Sequence, residues 1–300
     1  MHTEEDTAMT QFRFANFILS AAALSLAACG GETTPAPKAD SFLTSLKTDY
    51  PVSFAKVADN VWVHTTNYRL PGQSPIASNG LVVRDGDDVV LVDGAWGELA
   101  TVALLEAVKT EVGKPVTKMV VTHHHADKVS GVDAAERAGI EVFAHPDTPA
   151  LAARSGFAVP NTSVAALKDA KSRTKVGTIE VAFPGPAHAP DNLVVYVPDA
   201  GVLYTGCAMR GADAASLGNI QDANLTLWPD TLNWMKAVYK DAKILVPGHG
   251  KGGDLSAIDH TLKLLAAKVN ADNAAKGETG KPAIKPVPKP KTAKDVRDLK

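Results

Sequence analysis

The chain has 300 residues, 45% of them hydrophobic, which is enough for one large domain or two small ones around a sizeable core. Its formal net charge is −2, from 31 basic and 33 acidic residues, and this balance argues against nucleic acid as a partner. Its two cysteines, Cys29 and Cys207, lie in very different contexts, which argues against a disulfide between them.

Residues 17–28 form an apolar run that predicts a secretory signal, because the run is short and its side chains are small for a membrane-spanning helix. It ends in Leu26-Ala27-Ala28-Cys29, which resembles a bacterial lipobox, where the cysteine is acylated and becomes the mature N-terminus. We therefore expect residues 1–29 to be a signal peptide that ends at a lipidation site, Cys29. Gly30 favours onward sorting, so we expect a periplasmic protein anchored by lipid to the outer membrane of a Gram-negative bacterium. The alternative is a plain cleaved signal in which Cys29 has no role.

Two low-complexity segments flank the rest of the chain. Residues 30–48 are rich in Gly, Thr, Pro and Ala and predict a flexible tether. Residues 276–300 are rich in Lys and Pro and predict a disordered tail, either simply solvated or in contact with anionic lipid or cell-wall polymer. Residues 49–275 predict one folded domain between them.

Strands and helices alternate within this domain. Runs of β-branched and apolar residues predict strands at 54–57, 61–65, 81–84, 89–93, 116–121, 140–144, 178–183, 193–197, 202–205 and 243–246. Apolar residues at helical spacing predict helices at 98–111, 133–138, 227–240 and 254–268. Residues 67–79 contain Pro71, Gly72 and Pro75 and predict a loop, and residues 148–164 predict a short helix with a loop. Periodicity alone therefore indicates a mixed α and β fold.

Side chains that bind metals stand on loops at or near the ends of predicted strands. The first loop carries His123, His125 and Asp127, and in a tight turn both rings can face one ion while the carboxylate reaches a neighbouring ion. Three later loops carry His188, Cys207 and His249. Catalytic zinc sites keep one position open for water, and six ligands divided equally between two ions would leave both ions open.

The order and rough spacing of these six residues resemble those of the class B metallo-β-lactamases. The match is to the dizinc subclass, which has three His on one zinc and Asp, Cys and His on the other. The likeness runs from about residue 57 to residue 265 and includes Ala-Ser-Asn-Gly at 77–80, Gly-Pro-x-His at 185–188, Leu-Gly-Asn at 217–219 and Pro-Gly-His-Gly at 247–250. Lys128 resembles the New Delhi type, whereas most other hydrolases of this fold have His at that position.

The resemblance implies an α+β fold, the αββα sandwich with two facing mixed β-sheets and outer helices. It also implies two Zn²⁺ ions, one held by His123, His125 and His188 and the other by Asp127, Cys207 and His249. The implied activity is hydrolysis of a small-molecule β-lactam, which confers resistance to β-lactam antibiotics, and we expect a monomer.

The resemblance further implies a mechanism. Zinc lowers the pKa of bound water to about 7, so a hydroxide that bridges the ions would be available to open the lactam ring. The first zinc would polarise the lactam carbonyl, and the second would stabilise the released nitrogen anion. Asp127 would orient the hydroxide.

Two further residues complete the implied site. Arg210 stands where many relatives carry Lys, and its guanidinium would bind the carboxylate that bicyclic β-lactams share. Asn219 matches a residue that donates a hydrogen bond to the developing oxyanion. The alternatives are a surface cation for Arg210 and a turn residue for Asn219. Arg210 and Ser130 both depart from the family pattern and leave the preferred class of β-lactam open.

Roles are also expected for several other residues. In the family, a hairpin at the segment that corresponds to residues 67–79 closes over substrate, so Tyr68, Leu70 and Ile76 are candidates for substrate contact. Asp93 matches a carboxylate that supports the metal loop from behind, and Lys128 is expected to pair with a nearby carboxylate or to bias the local field. Structural roles are predicted for His64, His145, His260 and Trp96.

Two rival functions stay open on the sequence. A thioesterase or lactonase of the same fold would use similar histidines, but it would carry a bridging Asp and a His after Asp127, and Cys207 and Lys128 oppose this. The other rival is a non-catalytic zinc-binding envelope lipoprotein, which would keep the six ligands without a productive pocket.

Overall fold

Two mixed β-sheets lie face to face between helices in the computed structural model, which describes residues 49–69, 72 and 74–275. This arrangement confirms the predicted α+β sandwich with helices on its outer faces. The signal peptide at 1–29 with Cys29, the tether at 30–48, Leu70 and the tail at 276–300 lie outside the described residues. In the part of the chain that is described, no helix has the length and apolar character needed to span a bilayer.

The two sheets divide the strands by their order in the chain. The first sheet holds, in sequence order, β1 (Val52–Ala58), β2 (Val61–Tyr68), β3 (Ile76–Asp85), β4 (Asp88–Val92), β5 (Lys118–Val120), β6 (Glu141–Ala144) and β7 (Thr162–Ser163). The second holds β8 (Ser172–Val176), β9 (Ile179–Phe183), β10 (Val194–Val197), β11 (Val202–Gly206) and β12 (Ile244–Pro247), with β12 and β8 at its edges. Pairing is antiparallel from β1 to β4 and from β8 to β11, and parallel from β4 to β7 and between β11 and β12.

The helices cover the outer faces of the sheets. They are α1 (Glu98–Val112), α2 (Ala126–Val129), α3 (Val132–Arg137), α4 (Thr148–Arg154), α5 (Trp228–Val238) and α6 (Ser256–Ala275). Side chains of α1, α3 and α4 pack in one apolar cluster with the first sheet, and side chains of α5 and α6 pack in another with the second sheet.

Alternation of side chains along the strands builds three apolar layers. In β3, Leu81 and Val83 point between the two sheets, whereas Val82 points to the outer layer that contains Leu104 of α1. Trp228 of α5 is fully buried in the layer over the second sheet. Because successive residues of a strand face opposite sides, β-branched runs without polar breaks fit strands that are buried on both faces.

The predicted loop at residues 67–79 is wrong at both ends. β2 continues to Tyr68 and β3 already begins at Ile76, and Asn67 pairs with Ala77 across the two strands. The small and polar side chains at 77–79 hide this part of the strand from a pattern search, because such a search depends on apolar alternation. The connection between β2 and β3 is therefore confined to residues 69–75.

Other boundaries differ in informative ways. The strand β8 was not predicted, because its residues Ser172–Val176 are mostly polar and pair with β9 on one side only. The last helix continues to Ala275 instead of ending near residue 268, and an ion pair between Lys268 and Asp272 links successive turns there. The loops after β5, β9, β11 and β12 carry the candidate metal ligands, and β9, β11 and β12 run in the same direction, so their ends meet at one edge.

Candidate metal centre

The structure brings all six candidate ligands together at this edge. Ligand atoms of His123, His188 and Cys207 lie within 4.8 Å of one another, and so do those of Asp127, Cys207 and His249. His125 joins the first group, since its Nδ1 lies 3.0 Å from Nε2 of His188. The residues come from four separate loops of two sheets.

Two rings of the three-histidine half, those of His123 and His188, are neutral imidazoles. Burial and the neighbouring His125 hold the pKa of His123 well below its ordinary value, and the same two causes lower the pKa of His188 to about 3. Nε2 of His123 is buried and has no hydrogen-bond partner among the described residues. A buried polar atom without a partner costs free energy, and a metal ion would satisfy it through the lone pair of the neutral ring.

The other half concentrates negative charge. Oδ2 of Asp127 lies 3.0 Å from Nε2 of His249 and 4.0 Å from Sγ of Cys207. Burial alone would lower the pKa of His249, but Cys207 and Asp127 outweigh burial and raise it to about 10. The same anionic groups would hold a metal cation, and a donor set of one thiolate, one carboxylate and imidazoles suits a borderline-soft divalent ion.

Hydrogen bonds fix which ring nitrogen faces the centre. Nδ1 of His249 donates to the carbonyl oxygen of Ala77 at 2.7 Å, which leaves Nε2 on the side of Asp127. Nε2 of His125 lies 2.9 Å from Oδ2 of Asp222 and donates to it, which leaves Nδ1 on the side of His188. A carboxylate or carbonyl on the outer nitrogen is the usual support of a metal-binding histidine.

Asp222 joins the candidate site, although the sequence did not indicate it. Its only sequence signal is its position three residues after Asn219, in the same loop as the Leu-Gly-Asn motif at 217–219. The loop has no apolar periodicity, and the contact with His125 joins positions that are 97 residues apart. The contact between Asp222 and His125 therefore cannot be inferred from a local sequence pattern.

Lys128 is a fully buried cation behind the centre. Its Nζ donates to Oγ of Ser78 at 2.9 Å, to the carbonyl oxygen of Asn79 at 3.2 Å and to the hydroxyl of Tyr204 at 3.3 Å. It also lies 3.3 Å from Oδ2 of Asp127 and 3.5 Å from Oδ2 of Asp93, which confirms the predicted pairing with a carboxylate. Burial disfavours the charged amine, but Tyr204, Asp127 and Asp93 together hold the pKa of Lys128 well above its ordinary value.

Asp93 ties this cation to the metal loop. Its carboxylate accepts from the backbone N–H and the hydroxyl of Thr122, each at 2.8 Å, and from the hydroxyl of Tyr204 at 2.7 Å. Burial raises the pKa of Asp93, and Lys128, Tyr204 and Thr122 oppose that rise. Because Thr122 directly precedes His123, Asp93 supports the metal loop from behind, as the resemblance implied.

Asn79 holds the loop of His249 against β3. Its backbone N–H donates to the carbonyl oxygen of Gly248 at 2.8 Å, and its side-chain amide donates to those of Pro247 and Gly250 at 3.0 Å each. Gly248 lets this loop pass close to Cys207, since a Cβ there would lie 2.7 Å from Sγ of Cys207.

A cavity of about 630 Å³ opens beside the six residues. Its polar side includes Arg210, Asn219 and Asp222, and its apolar side includes Ile76, Trp96 and Phe157. Nε of Arg210 is buried without a hydrogen-bond partner among the described residues. Oδ1 of Asn219 accepts a hydrogen bond from the N–H of Gln221 at 3.0 Å and so stabilises the turn. The amide nitrogen of Asn219 is left to donate a hydrogen bond.

The residues predicted to be structural divide into two groups. The ring of His64 is buried over Gly80, where a Cβ would meet its Nε2 at 2.2 Å, and Nδ1 of His145 accepts from the N–H of Asp147 at 3.1 Å. Nε2 of His260 donates to the carbonyl oxygen of Ala214 at 2.8 Å. Trp96 differs, because it lines the cavity and stacks on Tyr68 with ring centroids 4.4 Å apart.

A family model and several known proteins match this chain. The family model described as the metallo-beta-lactamase superfamily matches residues 74–249, a range that contains all six candidate ligands. A metallo-beta-lactamase type 2 from Bacillus sp. (strain 170) is 37% identical over 215 residues, which cover 71% of this chain and 82% of that relative. A metallo-beta-lactamase type 2 from Bacteroides fragilis is 30% identical over 222 residues, which cover 74% and 88%.

Solved structures agree with the sequence relatives. A metallo-β-lactamase from Hirschia baltica superimposes with a TM-score of 0.69 at 33% identity, covering 72% of this chain and 98% of that one. A metallo-β-lactamase from Pseudomonas aeruginosa, solved in a mono-zinc form, also has a TM-score of 0.69, at 32% identity and with coverage of 73% and 96%.

Replacing Lys128 by Met is expected to destabilise the fold, because Asp93 and Asp127 would stay buried without their cation. Removing one partner of a buried ion pair costs about 3–5 kcal/mol. Urea unfolding of the full chain in mild detergent and chelator, followed by circular dichroism, measures this loss. Lys114→Met is the control, since Lys114 pairs with Asp87 at the surface and its loss should change stability little. Equal, small effects of both substitutions would contradict the role assigned to Lys128.

Proposed function

The chain belongs to the metallo-β-lactamase superfamily, and we propose on this premise that it is a zinc-dependent hydrolase that opens the lactam ring of β-lactam antibiotics. The observation that carries the proposal is the meeting of three histidines with an Asp-Cys-His group beside a cavity of about 630 Å³. This volume lies within the range of pockets that bind small molecules.

We assign the six side chains to two zinc ions. His123, His125 and His188 would hold the first ion, and Asp127, Cys207 and His249 would hold the second. Zinc bound in such open sites would supply a water with a pKa of about 7 and an electrophile for a carbonyl oxygen. The different donor sets of the two halves support this division, because burial lowers the pKa of His123 and His188 in the first half, whereas the second contains the carboxylate of Asp127 beside Cys207.

The chain's own residues bind and orient the substrate. Arg210 places an always-charged guanidinium at the cavity wall, where it would pair with the carboxylate of a bicyclic β-lactam. The amide nitrogen of Asn219 would donate to the lactam carbonyl oxygen as negative charge develops there. Trp96 and Phe157 would pack against apolar parts of the substrate and exclude water from the reacting bond.

Two observations favour this function over its rivals. The position after Asp127 holds a buried lysine bonded to protein groups, whereas a thioesterase or lactonase of this fold would present a histidine there. A protein that only buffers zinc has no use for a cavity beside its ligands, and Arg210 places a cation on the wall of this cavity.

We also propose that the enzyme acts in the periplasm as a monomer anchored through an acylated Cys29. The support is the apolar run at 17–28, which ends in Leu-Ala-Ala and is followed by Cys29. A short tether after the anchor would let the folded domain reach substrate in the periplasm.

Purified full chain in mild detergent is expected to open a chromogenic cephalosporin, to lose this activity with a chelator and to regain it with zinc. Asp127→Asn should lower kcat/KM by at least about 100-fold, because a misplaced reacting group costs that much. Turnover of thioesters or lactones alone would establish the first rival. Tight zinc binding without turnover of any of these substrates would establish the second.

Cys207→Ser is expected to release the second zinc and to keep the first, since a neutral hydroxyl replaces the thiolate while the three histidines stay intact. Metal content after dialysis against a weak chelator measures this difference. His260→Asn is the control, because it removes an imidazole that lies outside the centre. If Cys207→Ser retains as much zinc as the control, the assigned ligand set is wrong.

Cells that express the chain are expected to incorporate labelled palmitate at Cys29. Cys29→Ser should abolish the label and move the protein to the soluble fraction, whereas Cys207→Ser should be labelled like the native chain. Equal labelling of both variants would refute the lipid anchor.

A further inference from the structure

We propose that His124, His125 and Asp222 form a third cation site at the rim of the metal centre, and that a transition metal in excess binds there and inhibits the enzyme. The inhibitory consequence rests on the proposed function, whereas the binding of the cation does not. The site adds one residue, His124, that the two-zinc assignment leaves without a role.

The three side chains have the spacing of a metal site. Nε2 of His125 lies 2.9 Å from Oδ2 of Asp222, and Nε2 of His124 lies 3.9 Å from the same oxygen. Ligand atoms of the three residues all lie within 4.8 Å of one another. Zinc bonds of about 2.1 Å in tetrahedral geometry place two ligands ~3.4 Å apart, a value between the two distances to Asp222.

His124 is already oriented as a metal-binding histidine is. Its Nδ1 lies 2.9 Å from Oδ1 of Asp191 and donates to it, and Oδ2 of the same carboxylate accepts from the hydroxyl of Thr148 at 2.7 Å. Asp191 is fully buried, and its pairing with Nδ1 leaves the lone pair of Nε2 directed toward Asp222. This carboxylate on the outer nitrogen is an independent indication of a ligand, because metal-binding histidines commonly have one.

Access to the site is through Asp222. The side chain of His124 is 4% exposed, whereas that of Asp222 is 44% exposed and lines the cavity. An incoming cation would meet the carboxylate first and then the two imidazoles behind it. The nitrogen and oxygen donors favour zinc, nickel or copper over magnesium or calcium.

Occupation of this site would disturb the three-histidine position. The cation would lie between Oδ2 of Asp222 and Nε2 of His124, so Asp222 would bind it and would no longer accept from His125. The ring that should present Nδ1 to the first zinc loses the hydrogen bond that orients it, so turnover should fall.

The decisive experiment counts metal ions. Full chain in mild detergent is dialysed to equilibrium against increasing Zn²⁺, and bound zinc is measured by mass spectrometry for the native chain and for His124→Asn. Asparagine can still donate an amide N–H to Asp191, but it has no counterpart of Nε2. Asp222→Asn changes an exposed loop residue and serves as a second variant, and His260→Asn is the matched control.

We expect the native chain and His260→Asn to bind one more equivalent of zinc than His124→Asn and Asp222→Asn over the same range of free Zn²⁺. The reason is that the affinity for this equivalent should fall at least about tenfold in the two variants. Equal stoichiometry in all four proteins would overturn the site. Cephalosporin hydrolysis measured in parallel should fall as the extra equivalent binds to the native chain, and not in His124→Asn. Binding of that equivalent without loss of turnover would overturn the inhibitory role. If the native chain hydrolyses no β-lactam, the proposed function fails and the zinc count still decides the site.

Discussion

The buried ammonium of Lys128 is the interaction on which the metal centre depends. Two carboxylates, Asp93 and Asp127, lie within 3.5 Å of it in a region without solvent. A buried charge is tolerated only when it is paired and hydrogen-bonded, and here each member of the trio meets that requirement through the others. Asp93 therefore accepts both hydrogen bonds from Thr122 beside this cation, and Asp127 can face a metal ion with its position fixed. The cation converts a set of mutually repelling anions into a support for the metal loop.

Close backbone contact between the two sheets is the second constraint. The loop of His249 belongs to the second sheet, yet Asn79 of β3 in the first sheet makes three hydrogen bonds to it. These bonds bring the backbone of β3 within reach of the His249 loop, and Gly248 lets the same loop pass close to Cys207. Ligands from both sheets thus come to one place because polar groups of each sheet are satisfied by the other.

The sequence predicted the layers and the six candidate ligands but not the network around them. Apolar runs in strands such as β5 and β11 are a local signal, and they correctly indicate where the loops with His123 and Cys207 begin. Asp222 and Asp191 gave no such signal, because each acts through a histidine that is 97 or 67 residues away. β8 and the first part of β3 were missed for a related reason, since their polar residues pair through the backbone and do not alternate in hydropathy.

The three consecutive histidines show how little separates a ligand from its neighbour. His123 and His125 turn toward the centre while His124 between them turns to Asp191, since the backbone of the turn directs successive side chains to different sides. His124 and His125 differ in the carboxylate that pairs with the outer nitrogen of the ring. This carboxylate is buried for His124 and half-exposed for His125. Because solvent reaches the carboxylate of Asp222, a third cation can reach it as well. The same hydrogen bond that orients His125 for the first metal therefore leaves the centre open to competition from its rim.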